Sequence, residues 1–203
     1  YARVFSAVEI NATYYRVPPA RTFAGMAERT PPGFRFTVKL PASATHQRSR
    51  DGADLEAFLA AVAPLEEAGK LHGLLAQFPF SFRPAEESRA HLRFLRQTLG
   101  DRPLFIEFRH RSWARRSTLA LLESMGAGLC AVDEPRLPGL FPPVVRPVGP
   151  VGYVRFHGRN AEAWWSGDGA ARYDYLYSDR ELAEWADAIR RLAAASRMRR
   201  ART

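Results

Sequence analysis

The chain has 203 residues, of which 46% are hydrophobic and 25% are charged, a composition typical of a globular protein with a sizeable core. No run of about 18 apolar residues occurs, and the first residues lack a basic segment followed by an apolar one. We therefore expect a cytoplasmic protein without a membrane span or a signal peptide. The formal net charge of +9 at pH 7 introduces nucleic acid as a candidate partner.

The excess positive charge is concentrated at the end of the chain. Six arginines and no acidic residue occur among the last 14 residues, which leaves a formal charge of about +3 for the rest. We predict one domain over residues 1–192 and a basic, disordered tail over residues 193–203.

Apolar runs alternate with helical patterns along the chain. The runs predict six strands, at Val4–Ile10, Phe34–Lys39, Leu74–Gln77, Leu104–Phe108, Gly128–Val132 and Val151–Phe156. The helical patterns include one capped by Asp54 and interrupted by Pro64, and one that begins with a capping box of Ser178 and Glu181. Such alternation predicts parallel strands. Because no glycine-rich nucleotide motif occurs, we expect an α/β fold of the TIM-type barrel class and not an open nucleotide-binding sheet.

Each predicted strand ends near a polar or charged residue. The carboxyl ends of barrel strands meet at one mouth, so we expect one shared site for Glu9, Lys39, Gln77, Glu107, Asp133 and Arg155. Residues two apart on a strand point to the same face, which predicts three same-face pairs. These are Glu9 with Asn11, Glu107 with Arg109, and Arg155 with His157.

The residue types at these positions suit acid–base chemistry on an anion, since paired carboxylates exchange protons and guanidinium groups bind carboxylate or phosphate. We expect four catalytic residues, which are Glu9, Lys39, Glu107 and His157. Eight others are expected to bind the substrate, which are Asn11, His46, Gln77, Arg109, His110, Trp113, Asp133 and Arg155. In the alternative interpretation, the cations only neutralise the carboxylates in a structural ion-pair network.

The sequence supports a metal site or a cysteine nucleophile less well than it supports acid–base chemistry. His46, His110 and His157 could ligate a metal with nearby carboxylates, but no local ligand spacing indicates it. We predict no cofactor and keep a divalent metal as the alternative. The single cysteine, Cys130, lies in an apolar run, which predicts a buried side chain and excludes an internal disulfide framework.

Several consecutive segments carry a family resemblance: VEINATYYRVP, PPGFRFTVKLPASATH, KLHGLLAQFPFSF, IEFRHRSW, and YVRFHGR followed by a tyrosine-rich segment and SDREL. From Tyr1 to about Leu192 the chain resembles the YecE-like proteins, known as domain of unknown function 72. The resemblance implies a TIM-type barrel and no particular reaction. It also implies a shared polar set, which is Glu9, Asn11, Lys39, His46, Gln77, Glu107, Arg109, His110, Trp113, Arg155 and His157.

The same resemblance predicts one strand before Tyr1 and another after the last helix, so we expect an incomplete barrel with about six of eight strands. Open sheet edges would favour self-association. We expect an enzyme of hydrolase or lyase type that acts on a small anionic or phosphate-bearing substrate, with no membrane partner. The alternatives are a nucleic-acid-binding or processing protein and an inactive, truncated barrel.

Overall fold

The computed structural model describes residues 1–149, 151–166 and 169–200, with side chains through residue 195 in the last helix. The chain forms two compact units. The first consists of Tyr1–Phe78 and Ala85–Phe105, and the second of Pro79–Pro84 and the described residues from Ile106 onward.

Strands and helices alternate as the sequence predicts. The strands are β1 (Ala7–Ile10), β2 (Arg35–Lys39), β3 (Leu71–Gln77), β4 (Leu104–Glu107), β5 (Gly128–Asp133) and β6 (Tyr153–Phe156). The helices are α1 (Ala20–Glu28), α2 (Ala42–Thr45), α3 (Gly52–Glu67), α4 (Glu86–Leu99), α5 (Arg116–Ser124), α6 (Gly169–Tyr173) and α7 (Asp179–Arg200). The result is an α/β fold with a six-stranded parallel sheet whose strand order is the chain order.

In the first unit, β1, β2 and β3 are parallel neighbours, with Glu9 opposite Thr37 and Lys39 opposite Leu75. The backbone N–H of Leu74 donates to the carbonyl of Pro103 at 2.8 Å, which joins β3 to the residues that lead into β4. Residues 36–38 of β2 and 73–76 of β3 are buried, whereas no residue of β1 is fully buried.

In the second unit, all six residues of β5 are buried, and Val132 lies opposite Arg155 of β6. Cys130 is buried, as predicted. The indole of Trp113 stacks on Phe108, with ring centroids 4.5 Å apart, and on Phe82, at 5.3 Å. These rings form an aromatic core beneath the end of β4.

Several element boundaries differ from the prediction, and strand β3, for example, begins at Leu71 and not at Leu74. Strand β1 begins at Ala7 and not at Val4, whose side chain is exposed and cannot gain from burial in a sheet. Helix α3 begins at Gly52, because the side chain of Asp51, and not that of Asp54, accepts the N–H of Ala53 at 3.1 Å. Pro64 neither breaks this helix nor ends it at once, since it lies within the last turn.

The capping box of the last helix is confirmed. Ser178 N–H donates to Glu181 Oε2 at 2.9 Å, and Glu181 N–H donates to Ser178 Oγ at 3.4 Å. Helix α7 then continues through Arg200, since arginine and alanine favour helix continuation, and the disorder expected for residues 193–203 stays a prediction. Residues 201–203 lie outside the described residues, and the domain division at residue 192 stays a prediction.

Candidate functional site

The carboxyl ends of β4, β5 and β6 carry a buried cluster of ionisable side chains, all in the second unit. We call it the Glu107 network, and it consists of Glu107, Arg109, Glu134, Arg155 and His157.

Glu107, the last residue of β4, is the centre of this network. Its side chain is 0% exposed, and Arg109 Nε lies 2.7 Å from its Oε1 atom. Arg155 Nη1 donates to Oε2 at 2.7 Å, while His157 Nε2 lies 3.1 Å from Oε1. Burial alone would raise the pKa of Glu107, but Arg109, His157 and Arg155 together hold it well below its usual value. The carboxylate therefore stays ionised at neutral pH.

Strand alternation explains why these side chains meet. Glu107 and Arg109 are two residues apart and form an ion pair, while Phe108 points away and stacks on Trp113. Arg155 and His157 likewise both contact Glu107. The same-face prediction is confirmed for these two pairs.

Glu134, immediately after β5, belongs to the network although the sequence analysis did not select it. Arg109 Nη1 donates to its Oε2 at 3.1 Å, and the N–H of Phe141 donates to its Oε1 at 3.0 Å. Burial outweighs these contacts and raises the pKa of Glu134 to about 7. Cys130 Sγ lies 3.8 Å from Glu107 Oε2, so the face of β5 nearest Glu107 carries the even-numbered residues, which the buried sequence of β5 does not indicate by itself.

The connection between β5 and β6 holds this part of the network. Arg111 N–H donates to the carbonyl of Gly139 at 2.8 Å, and Phe141 N–H also donates to the carbonyl of Arg109 at 3.1 Å. Gly139 has a φ of +87°, and a Cβ there would lie 2.9 Å from the ring of Phe80. Only glycine fits this turn, which brings the Phe141 amide to Glu134.

His157 is a neutral member of the network. Burial, with a further contribution from Arg109, lowers its pKa to about 4. The ionised Glu107 can only accept a hydrogen bond, so we assign the imidazole proton to Nε2. That leaves Nδ1 as the acceptor that faces Arg109 Nη2 at 3.5 Å. In this tautomer, His157 orients Glu107 and Arg109 and is not a free proton donor.

Asp133 lies outside the Glu107 network. Arg159 donates to both of its oxygens, from Nε at 2.8 Å and from Nη2 at 3.0 Å. Arg159 also donates from Nη1 to Glu181 Oε1 at 2.9 Å. Asp133 is one residue removed from Glu134, so alternation directs the two carboxylates to opposite faces of β5.

The two other predicted residues of this unit have local partners. His110 Nδ1 accepts the N–H of Ser112 at 3.1 Å, and its ring packs edge-on against Phe80. Trp113 is 1% exposed, and its Nε1–H donates to the carbonyl of Phe82 at 2.8 Å. Both sets of contacts fix the turn after β4.

In the first unit, three predicted residues gather around Tyr14. Lys39 Nζ donates to Gln77 Oε1 at 2.7 Å and lies 4.5 Å from the centroid of the Tyr14 ring. The ring of His46 meets the same tyrosine edge-on, at 4.9 Å. Glu9 is half-buried at the end of β1, and Asn11, just beyond that strand, is exposed. The expected convergence of these residues with those of β4 to β6 stays a prediction.

The described residues contain neither a ready-made metal site nor a membrane-spanning helix. Within residues 1–149, 151–166 and 169–200, no group of three or more His, Cys, Asp or Glu side chains is arranged to hold a metal ion. Among the helices of those same ranges, none is both long and apolar enough to span a membrane.

Comparison with known proteins identifies a family. The family model described as "Protein of unknown function DUF72" matches residues 1–201. The UPF0759 protein YunF of Bacillus subtilis is 35% identical over 202 residues, which cover 91% of this chain and 72% of YunF. The UPF0759 protein YecE of Escherichia coli is 34% identical over 112 residues, or 54% of this chain and 40% of YecE.

Crystal structures agree with the sequence comparison. A DUF72 family protein from Thermotoga maritima superposes with a TM-score of 0.85 at 42% identity, covering 94% of this chain and 74% of that one. A DUF72 family protein from Enterococcus faecalis gives a TM-score of 0.86 at 30% identity, covering 93% and 74% respectively. The chain with the Glu107 network is similar to YunF and YecE and therefore belongs to the DUF72 family, also designated UPF0759.

Proposed function

We propose that this chain is an enzyme that binds a small anionic or phosphate-bearing substrate at the Glu107 network and moves a proton there. The observation that supports the proposal most is the sharing of Arg109 between two buried carboxylates with opposite pKa shifts. Glu107 is held ionised, while the pKa of Glu134 is raised to about 7. Two carboxyl groups whose environments separate their pKa values are a common arrangement in acid–base sites.

The charge of the network suits an anion. Arg109 and Arg155 each contribute one positive charge, Glu107 contributes one negative charge, and His157 is neutral. The network is balanced when Glu134 is ionised and carries a charge of +1 when Glu134 is protonated. An anion next to the two arginines would raise the pKa of Glu134 further, so binding near pH 7 should be accompanied by proton uptake.

The five side chains can be given separate roles. Arg155, whose side chain is 16% exposed, and Arg109 bind the anion through guanidinium N–H groups. Glu134 is the acid or base, because a pKa near 7 suits proton transfer at neutral pH. Glu107 and His157 are positioning residues that hold the arginines. This assignment gives the acid–base role to Glu134 in place of the predicted pair of Glu9 and Glu107. It is compatible with hydrolase or lyase chemistry.

The proposal also includes a TIM-type barrel as the specific fold and the cytoplasm as the cellular location. We infer that the parallel sheet is part of a TIM-type barrel, because β1 to β6 follow one another in chain order and helices connect the strands from β1 to β5. In such barrels, active sites lie at the carboxyl ends of the strands, where Glu107, Glu134 and His157 occur. A cytoplasmic location is kept as part of this proposal.

A ligand screen with a matched variant tests anion binding. The melting temperature would be measured with a panel of small phosphates and carboxylates for the wild type, Arg155→Gln and the control Arg116→Gln, whose side chain is exposed at the start of α5. A ligand at a hundred times its Kd stabilises by about 2.7 kcal/mol, or roughly 5–10 °C for a chain of this size. We expect a shift in the wild type and control that is lost in Arg155→Gln. Equal shifts in all three proteins, or none from any anion, would count against the proposal.

The proton-transfer role has its own readout. Calorimetric titration in two buffers of different ionisation enthalpy measures how many protons accompany binding. We expect proton uptake near pH 7 in the wild type and none in Glu134→Gln, even where the variant still binds the ligand. Unchanged proton uptake in the variant would remove Glu134 from the proposed role.

A further inference from the structure

The second unit contains a cavity of about 450 Å³ that the Glu107 network does not use. Its lining comes from the connection after β5, including Pro143 and Val144, and from α7, including Trp185 and Ala188. A volume of this size is within the range of small-molecule sites in proteins.

The lining of this cavity is strongly cationic. Four arginines line it, which are Arg136, Arg146, Arg159 and Arg191, against the single acid Glu184. The formal charge of the lining is therefore +3. Guanidinium groups present N–H pairs that match the oxygens of a phosphate, so several of them around one cavity favour an anion with more than one charge.

Three of the four arginines are available to a ligand. Arg159 is committed to Asp133 and Glu181, and Glu184 is 3.7 Å from Arg180. Arg136, Arg146 and Arg191 are exposed, and in the part of the chain that the structure describes no carboxylate pairs with them. An anion that enters the cavity therefore does not have to displace a carboxylate of the described residues from these three side chains.

We propose that this cavity is a second site that binds a small ligand with a phosphate or pyrophosphate group. Apolar side chains beside the arginines reduce the water around a bound phosphate and so strengthen its ion pairs. The site is separate from the Glu107 network, since Arg159 reaches it from Asp133, on the face of β5 opposite to Glu134.

The lining favours a small ligand over a nucleic acid. Proteins that bind single strands stack the bases on accessible aromatic rings. Trp185, the aromatic residue of this lining, is 5% exposed and packs edge-on against Phe156 at 5.2 Å. It can close one side of the cavity but cannot offer a ring face to a base.

Calorimetric titration of the full chain with inorganic pyrophosphate tests the proposal. The test variant is Arg146→Gln with Arg191→Gln, and the control is Arg116→Gln with Arg190→Gln, which removes the same charge outside the cavity. Arg190 adjoins Arg191 on α7 but pairs with Asp187 at 2.6 Å. We expect binding to weaken about tenfold for each cavity arginine removed, and to stay within about twofold of wild type in the control.

Further measurements distinguish binding at this cavity from binding at the Glu107 network, from nonspecific attraction and from nucleic-acid binding. Arg155→Gln removes an anion-binding side chain of the Glu107 network, so the pyrophosphate binding that depends on Arg146 and Arg191 should remain in this variant, and loss of all binding would assign the ligand to the Glu107 network and overturn the proposal. Equal weakening in the test and control variants would show only nonspecific attraction to net charge and would also overturn it. If a single-stranded oligonucleotide binds more tightly than pyrophosphate, with steep salt dependence, the small-ligand assignment is wrong.

Discussion

Replacing Glu107 by glutamine removes one negative charge from the centre of the buried network while keeping the size of the side chain. In the wild type, both carboxylate oxygens are in contact with cations, at 2.7 Å from Arg109 Nε and 2.7 Å from Arg155 Nη1. Glutamine offers one oxygen and an NH₂ group, so one guanidinium loses its acceptor and faces a donor instead.

The expected loss of folding stability in Glu107→Gln follows from the burial of the network. Removing one partner of a buried ion pair costs about 3–5 kcal/mol, because a charge is left in a poorly solvated place. Arg109 and Arg155 have side chains that are 10% and 16% exposed, so water can relieve little of this cost. Since the total stability of a globular protein is about 5–15 kcal/mol, the variant should lose a large share of it.

The matched control is Glu66→Gln. Glu66 Oε2 lies 2.8 Å from Arg102 Nη2, nearly the same distance as in the network, but the two side chains are 43% and 29% exposed. An exposed pair of this kind contributes about 0–1 kcal/mol. Urea denaturation should therefore show a much lower midpoint for Glu107→Gln than for Glu66→Gln, with equal m values. Similar losses in both variants would refute the reasoning from burial.

The pH dependence provides a second check on the same variant. Because the folded pKa of Glu107 lies below the ordinary glutamate value of 4.5, its stabilising effect is present above that pH and is lost as the pH falls through the folded pKa. The stability difference between wild type and Glu107→Gln should therefore shrink under strongly acidic conditions. A difference that does not change with pH would indicate that packing, and not charge, is responsible.

Three further predictions concern other parts of the second unit. The pKa of Glu134 is raised from 4.5 to about 7, so wild-type stability should fall by about 3 kcal/mol as the pH rises through this window, and Glu134→Gln should abolish that slope in denaturation curves. Trp113→Phe leaves the carbonyl of Phe82 without its 2.8 Å donor and should cost about 1–3 kcal/mol, whereas an unchanged melting temperature would contradict the role of this bond. Ser178→Ala removes the Oγ atom that accepts the N–H of Glu181, and calorimetric unfolding should show a loss of about 1 kcal/mol.

Local patterns predicted the elements well because they depend on neighbours in the chain. The alternation of apolar runs with helical patterns identified all six strands, and the Ser178 capping box located the start of α7. Boundaries that depend on a competing local cap were predicted less well, as with Asp51 and Asp54 at the start of α3. Either aspartate is a suitable cap, and the sequence does not say which one the chain uses.

The candidate site likewise contains some contacts that local patterns predicted and others that they did not. Alternation predicted that Glu107 and Arg109 share a face, as do Arg155 and His157, because this follows from the geometry of an extended strand. It could not choose between Asp133 and Glu134, since β5 is buried along its whole length and apolar up to Val132, so its sequence does not indicate which face is which. Arg159 was missed for a related reason, because its partner Asp133 is 26 residues away in the chain.

The sequence by itself determined the family, the order of strands and helices, and the polar residues that end the strands, since each depends on motifs or on short-range periodicity. Only the tertiary structure decided which of those residues meet and what their charges do. It placed Glu107 between two arginines and raised the pKa of Glu134 to about 7, whereas Asp133 was directed to Arg159. The physical reason is that desolvation and ion pairing depend on burial and on distances between residues far apart in the chain, which neither composition nor spacing specifies.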